Sequence, residues 1–381
     1  MILGINACRA RSGGAVAHLN GILRKGDPAA HGIDSVHVWS YAKLLSALPD
    51  NSWLCKHRPA ALERSLLRQL WWERFSLPKE LATAGCSILL NLDAGSVCRF
   101  RPAVTMSRDM LSYEPGEIER YGMGKARLRL IALRHVQNAA LNAADGVVFL
   151  TRYAARVIQQ SSGLLRNVAY VPHGVGEAFQ SVEPSYEWPA GGERPIRCIY
   201  VSNALPYKHQ WSVVEAIAEL RHRGFDLQLE LVGGGEGSAQ RRLEAQIAIS
   251  DPHRAFVRQS DFVPQDALPE ILARADLFIF ASSCENMPNT LIEAMAAGMP
   301  IACSNRGPMP EVLEDGGVYF DPENSGSISA AIEHLIVEPD KRSWLAARAK
   351  ALSRHYSWAR CARETFSFVA DTAVRVTQAS S

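Results

Sequence analysis

The sequence lacks any apolar run long enough to cross a bilayer, so no membrane span is expected. Its start, MILGINACRARSGG, has no basic segment ahead of the apolar run, and no secretory leader is expected either. None of the eight cysteines forms a Cys-x-x-Cys pair. They are scattered, several inside strand-like apolar runs, as small buried residues in a reducing compartment are, which argues against a zinc site. A cytoplasmic protein is the simplest expectation. There is no short-period repeat, and no excess of polar residues that would signal disorder: 47% of the 381 residues are hydrophobic and 21% charged. That length is comfortable for two domains. An excess of one sign of charge is nearly absent, 41 Lys/Arg against 39 Asp/Glu for a net +2, but the charges are unevenly spread. Residues 1–180 hold 22 Lys/Arg against 13 Asp/Glu, and the remainder 19 against 26, so the two halves are expected to face different partners. A basic half suits nucleic acid, anionic lipid or a phosphorylated substrate.

What is present is an alternation of short apolar strands with amphipathic helices, the pattern of doubly wound parallel α/β sheets. In the first half, strands are expected at 2–7, 35–40, 87–92, 146–151 and 168–173, with helices at 15–25, 60–85, 124–144 and 151–161. The stretch from Gly174 to Pro195, with Pro184, Pro189, Gly191 and Gly192, has linker composition. The alternation resumes with strands at 196–202, 227–233, 254–259, 276–282, 300–305 and 318–320. Two such domains are expected to leave a cleft at the carboxyl ends of their strands, where ligands of this architecture bind.

Several segments could address that cleft. Gly13 and Gly14 stand at a strand-to-helix turn, where backbone amides can meet an anion, although an ordinary tight turn would need the same residues. LVGGGEGS (231–238) superficially resembles a dinucleotide fingerprint, but Ser238 occupies the place of the third glycine and no strand-end acid stands at the ribose-binding distance, which excludes a dehydrogenase. Lys208, just before a helix, can offer an unpaired ammonium to a phosphate or be a plain surface lysine. In SSCENMPNTLIEAMAAGMPIACS (282–304), Pro288 suits a helix start, and Gly298 with Pro300 suits its end. The helix expected over 288–297 has free amides near Asn289 and Thr290. Glu285 lies in the loop before it, and Glu293 inside it on the face of Asn289. A carboxylate has two acceptor oxygens and suits a vicinal diol. A nucleotide sugar carries such hydroxyls on both sides of its diphosphate.

With these residues, E-N-M-P-N-T-L-I-E resembles the E-x7-E motif of retaining glycosyltransferases of GT-B fold, specifically the large GT4-type family. VPHGV (171–175), Lys208, LVGGG, DALPEILARADLFIFAS and EAMAAGMPIACSNRGPMPEVL resemble its pattern in order. MLSYEPGEIERYG and ADGVVFLTRYA look most like bacterial O-antigen and polysaccharide mannosyl- and rhamnosyltransferases. The resemblance implies two Rossmann-like domains facing each other: an acceptor domain over 1–180, a nucleotide-sugar domain over 181–352, and a helical segment over 353–381 packing back on the first. It implies that Glu293 holds the ribose, Glu285 binds a donor-sugar hydroxyl, and Lys208 neutralises the diphosphate leaving group. Amides of Asn289, Thr290 and Leu291, with Asn286, Met287 and Gly234 nearby, would contact sugar and phosphate. Gly13 and Gly14 would meet the diphosphate from the first domain, and Phe262 and Val263 would cradle the base. Two departures stand out. Asn203 replaces an arginine many relatives carry before the lysine. Arg108 and Asp109 stand where relatives often present a histidine, and Arg108 could supply part of the missing charge. His173 fits a structural residue better than a catalyst. No Asp-x-Asp metal pair is present and no metal or cofactor is expected, the nucleotide sugar being a substrate.

The implied reaction is transfer of a hexose, mannose or D-rhamnose from a GDP-sugar, to a lipid-linked O-antigen or polysaccharide glycan, with UDP-sugars open as donors. Residues 55–75 combine Lys56, Arg58, Arg64, Arg68 and Arg74 with Leu62, Leu66, Leu70, Trp71 and Trp72. That composition suits a helix lying on an anionic inner membrane, or equally one burying its leucines in a core. Two other classes share parts of this description. A nucleotide-sugar 2-epimerase has the same architecture, and E-x7-E disfavours it. A nucleic-acid module would use the basic half, but no such motif is present.

Overall fold

A computed structural model of the chain describes residues 1–11, 13–183, 187–189 and 192–380. It divides into two compact units, Met1–Gly174 with Ser357–Ser381, and Val175–Tyr356. The division therefore falls at 174/175 and 356/357, against the expected 180/181 and 352/353. Packing explains the offset: the helix Glu177–Gln180 lies against the helix Asn289–Ala296 of the second unit, and the Val175 amide donates to the Tyr356 carbonyl. Of the expected linker residues, Pro184 and Gly191 lie outside the described residues.

The first unit is built on seven strands: β1 (Ile2–Asn6), β2 (Ser35–Trp39), β3 (Leu54–His57), β4 (Ile88–Asn91), β5 (Ala103–Met106), β6 (Gly146–Phe149) and β7 (Val168–Tyr170). They form one parallel sheet in the order β3-β2-β1-β4-β5-β6-β7. The inner strands are buried on both faces, so they are near-continuous apolar runs, with Leu3, Ile5, Leu89, Leu90, Val104 and Val148 sealed from solvent. The terminal helix Trp358–Ser380 packs on the helix Gly14–Lys25. Gly21 permits that approach, because a Cβ there would overlap the Trp358 indole. His173 is buried against His18 and Trp358, ring centroids 4.8 Å and 5.8 Å away.

Two strands were not anticipated, and one helix was not continuous. β3 is an edge strand carrying Lys56 and His57, with no fully buried residue and so no apolar signature. β5 is four residues long. The expected helix over 60–85 is broken into a short turn at Ala60–Glu63, helix Leu66–Trp71, a π-helical segment Trp72–Ser76 and helix Leu77–Thr83. The π segment turns Trp72 and Glu73 inward, which one regular helix over this sequence could not do while leaving Trp71 in solvent.

The second unit has six parallel strands: β8 (Ile196–Val201), β9 (Leu227–Val232), β10 (Val257–Ser260), β11 (Leu277–Phe280), β12 (Ile301–Ser304) and β13 (Val318–Phe320), in the order β10-β9-β8-β11-β12-β13. All six were expected from the sequence. Pairing of Leu277 with Cys198 and Phe278 with Ile199 brings the carboxyl ends of β8 and β11 level. Chain order reverses between these two strands, and such a switch point opens a crevice at the strand ends. Among the described residues, no helix is long and apolar enough to cross a membrane.

Candidate functional site

Two loops leave the switch point of the second unit, and each delivers charge. After β8 the chain runs to a single turn, Pro206–Lys208, and enters the helix Gln210–His222. The Tyr200 hydroxyl, inside the core, donates to the Lys208 carbonyl at 2.9 Å. The Gln210 amide donates to the Ser202 carbonyl at 2.8 Å. His209 joins turn to helix at φ 45°, a left-handed conformation unusual for a side chain of its size. Its Nε2 lies 2.8 Å from Ser283 Oγ, and the Ser283 amide donates to the Tyr207 carbonyl at 2.8 Å. The lysine turn is thus tied to the loop that follows β11.

That loop, Ala281–Pro288, carries Glu285. Its carboxylate pairs with the Lys208 ammonium, and the two side chains are only 13% and 16% exposed. Lys208 is therefore not the unpaired charge its sequence context suggested: it already has a carboxylate partner, and the pair sits in a partly desolvated setting. The Lys208 Nζ also lies 5.7 Å from the centre of the Phe280 ring. The helix Asn289–Ala296 then begins, with Pro288 before it and no acidic residue in its first turn. The amides of its first turn have no intrahelical acceptor and present partial positive charge. The Thr290 hydroxyl donates to the Val201 carbonyl at 3.3 Å, fixing this helix start against β8.

Glu293 is buried inside the helix, and burial pushes its carboxyl up to about 7 against the opposing hydrogen bond from Gln265. Gln265 Nε2 donates to Glu293 Oε1 at 2.7 Å. Gln265 was not singled out from the sequence. The available signal was its position two residues after Val263, inside the stretch from which base contacts were expected. A carboxyl held this way can take up the hydroxyls of a diol as it loses its proton.

The remaining expected residues of this unit collect nearby. Gly233, at φ 122°, lets the loop after β9 cross the end of β8, since a Cβ there would strike the Ser202 carbonyl. Gly234 follows, its carbonyl accepting from the Ala204 amide at 3.1 Å, beside exposed Asn203. Asn286 and Met287 are buried, Asn289 and Leu291 belong to the helix start, Phe262 is exposed and Val263 half-buried. What this crevice offers is the Lys208 cation, a set of helix-start amides, and one carboxyl group before them in the chain and one after, the complement of a diphosphate flanked by hydroxyls.

Gly13, Gly14, Arg108 and Asp109 belong to the first unit. Gly13 caps the helix Gly14–Lys25 at φ 57°, with open space where a Cβ would stand, so conformation and not crowding accounts for the glycine. The Arg108 guanidinium is turned inward: its Nη1 is enclosed, and burial lowers its pKa to about 10 against the pull of Asp93. Asp109 accepts from the Leu111 amide at 3.0 Å and from Gln137 Nε2 at 3.3 Å, closing a local turn.

Residues 189–352 match the family model described as Glycosyl transferases group 1. The chain is similar to O-antigen chain mannosyltransferase B of Escherichia coli, 32% identical over 120 residues that make up 32% of each protein. It is also similar to a GDP-mannose-dependent alpha-(1-6)-phosphatidylinositol monomannoside mannosyltransferase of Mycolicibacterium smegmatis, 28% identical over 243 residues, 59% of this chain and 60% of that one. The matches thus span between about a third and three fifths of these relatives. Among solved structures, sucrose-phosphate synthase from Thermosynechococcus elongatus superposes with a TM-score of 0.75 over 100% of both chains at 17% identity. WaaG, a glycosyltransferase involved in lipopolysaccharide biosynthesis, gives 0.69 over 97% of this chain and 99% of that one at 15% identity. At such identities these likenesses concern the fold.

Proposed function

We propose that this chain, whose residues 189–352 match the Glycosyl transferases group 1 model and whose two Rossmann-like units are of GT-B type, is a retaining hexosyltransferase that uses a nucleotide-sugar donor. The observation that carries the reading is the grouping of Lys208, Glu285 and Glu293 around one helix start at the β8–β11 switch point. In this reading the donor's diphosphate takes the place beside Lys208 and the amides of Thr290 and Leu291. Glu285, released from the lysine, accepts from a sugar hydroxyl, and Glu293 accepts from the ribose. The charge that develops on the departing diphosphate is met by groups already in place, so little reorganisation accompanies bond breaking. Gln265 keeps the Glu293 carboxyl aimed while the nucleotide is absent.

The finer proposal is a GDP-linked mannose or D-rhamnose as donor and a lipid-linked O-antigen or polysaccharide glycan as acceptor, with contact at the inner face of a cytoplasmic membrane. The printed activities of the two mannosyltransferase relatives support the donor sugar. A thermal-shift screen of GDP-, UDP-, dTDP- and ADP-sugars tests it, since a ligand at 100 times its Kd adds about 2.7 kcal/mol of apparent stability. GDP-mannose or GDP-rhamnose is expected to give the largest shift. A larger shift with a UDP-sugar would replace the donor, and no shift with any of them would overturn the reading.

A further inference from the structure

The helix Lys125–Ala143 has 19 residues, yet only Gln137 and Leu141 are buried. A surface helix of this length ordinarily lays a continuous apolar stripe on the core beneath it. Here Val136, Ala139, Ala140 and Ala143 instead line a cavity of about 510 Å³, to which Leu70 and Phe100 also contribute. That volume lies in the range of small-molecule sites, about 300–1,000 Å³. Its uncharged polar lining is already satisfied: Asn91 accepts from Asn6 at 3.0 Å and donates to Thr105 Oγ1 at 3.3 Å, and Ser96 Oγ accepts from Asn6 at 3.1 Å. Away from its arginines the cavity therefore has little call for water and favours an apolar occupant.

Its lip is apolar and cationic together. Trp71 and Phe75 stand 62% and 51% exposed with ring centroids 5.7 Å apart, and Leu66 and Leu67 beside them are exposed as well. Arg74 and Arg99 also line the cavity, and neither has a carboxylate partner among the described residues. Across Trp71 a second hollow, of about 480 Å³, is bordered by Arg64 and Arg68, again without carboxylate partners among the described residues.

We infer that this cavity holds the hydrocarbon chain of a single-tailed lipid phosphate drawn from a membrane leaflet, with its phosphate against Arg74 and Arg99. Arginine pairs with phosphate through two parallel N–H donors, and the chain gains by leaving water for an alanine- and aromatic-lined slot. A second copy of this chain fits worse: a two-fold interface sets a patch against itself, here arginines against arginines. The inference deepens the acceptor side of the proposed reaction and rests on it for the meaning of the bound lipid alone, because chain binding is read without sugar transfer.

Isothermal titration of the full chain with dodecyl phosphate, below its micelle concentration, is the test, with dodecyl maltoside and inorganic phosphate as companion titrants. One saturable site is expected, at least tenfold tighter for dodecyl phosphate than for dodecyl maltoside, and no measurable binding of inorganic phosphate. Ala140→Trp fills the slot and is expected to weaken dodecyl phosphate at least tenfold while leaving nucleotide-sugar binding intact. The exposed double change Arg74→Glu with Arg99→Glu is expected to remove the preference for the charged head, and it keeps the test open should the filled variant fail to fold. Equal affinity in wild type and both variants, or binding only above the micelle concentration, would overturn the inference. So would concentration-dependent dimerisation abolished by the arginine changes, which would make the patch a protein interface. Lipid binding without nucleotide-sugar binding would uphold the cavity and sink the transferase reading.

Discussion

The same topological event occurs twice in this chain, and the two places use it differently. In the first unit chain order reverses between β1 and β4, in the second between β8 and β11. At the first reversal the polar groups close on one another. Asn6 donates to Glu73 at 2.8 Å, to Asn91 and to Ser96, and Glu73 in turn pairs with Arg9 at 2.8 Å. At the second, Lys208 and Glu285 stay partly open, and helix-start amides face the same crevice. The reversal supplies a crevice in both units. Side chains decide whether the polar groups there pair with one another, leaving only apolar lining for a ligand, or stay open to a charged one.

The largest way to break this contrast is Lys208→Ala. It removes the cation that the proposed reading sets beside the departing diphosphate, and turnover is expected to fall about 10²–10³-fold, as when a single oxyanion donor is lost. Initial rates at saturating donor check it, and a rise in KM with kcat unchanged would contradict the leaving-group role. Glu73→Ala is the counterpart in the first unit. It strands Arg9 and part of the Asn6 amide, so the expected cost is about 3 kcal/mol of stability in denaturant unfolding, with donor Kd unchanged in the folded protein.

Next comes Glu293→Gln in the unliganded protein. Because burial raises the carboxyl from 4.5 to about 7, the native state holds this proton more tightly than the unfolded chain does. Its stabilising contribution is complete below about pH 4.5 and is lost as pH rises through about 7. Above that pH the glutamine variant is expected to be the more stable, by on the order of 2 kcal/mol. Thermal unfolding from pH 5 to 8 reads it, and parallel curves for the two proteins would contradict it. The smallest effect concerns His209. His209→Gly relieves the left-handed backbone but loses the Ser283 contact, so stability is expected to change by less than about 1 kcal/mol. His209→Ala keeps the backbone cost without the contact and is expected to be about 1 kcal/mol less stable than the glycine variant in chemical denaturation.

The legibility of the sequence follows the same division. All six strands of the second unit were visible, because runs such as DLFIFAS are apolar throughout and bounded by small or polar residues. β3 and β5 were invisible: β3 is charged at a sheet edge, and the AVTM of β5 is broken by Thr105 and closed in by Arg-Pro before it and Ser-Arg-Asp after it, so no extended apolar run announces it. The helix around Leu62 and Leu70 had helical spacing, but nothing in that spacing announced the π segment that turns Glu73 inward. At the site, Glu285, Glu293 and the helix start were legible as a local pattern. The pairing of Lys208 with Glu285 was not, since β9 and β10 with their helices lie between them in sequence. Nor was the Gln265 bond, because any polar residue could occupy an exposed loop position before a helix.

Donor binding as a function of pH, by calorimetry on wild type and Glu293→Gln, tests most directly whether the second unit's crevice holds a nucleotide sugar. If Glu293 receives the ribose hydroxyls as a carboxylate, wild-type affinity rises between pH 6 and 8, centred near the residue's pKa of about 7, while the glutamine variant binds at least several-fold more weakly and without that rise. The same affinity and the same pH profile in both proteins would place the nucleotide elsewhere.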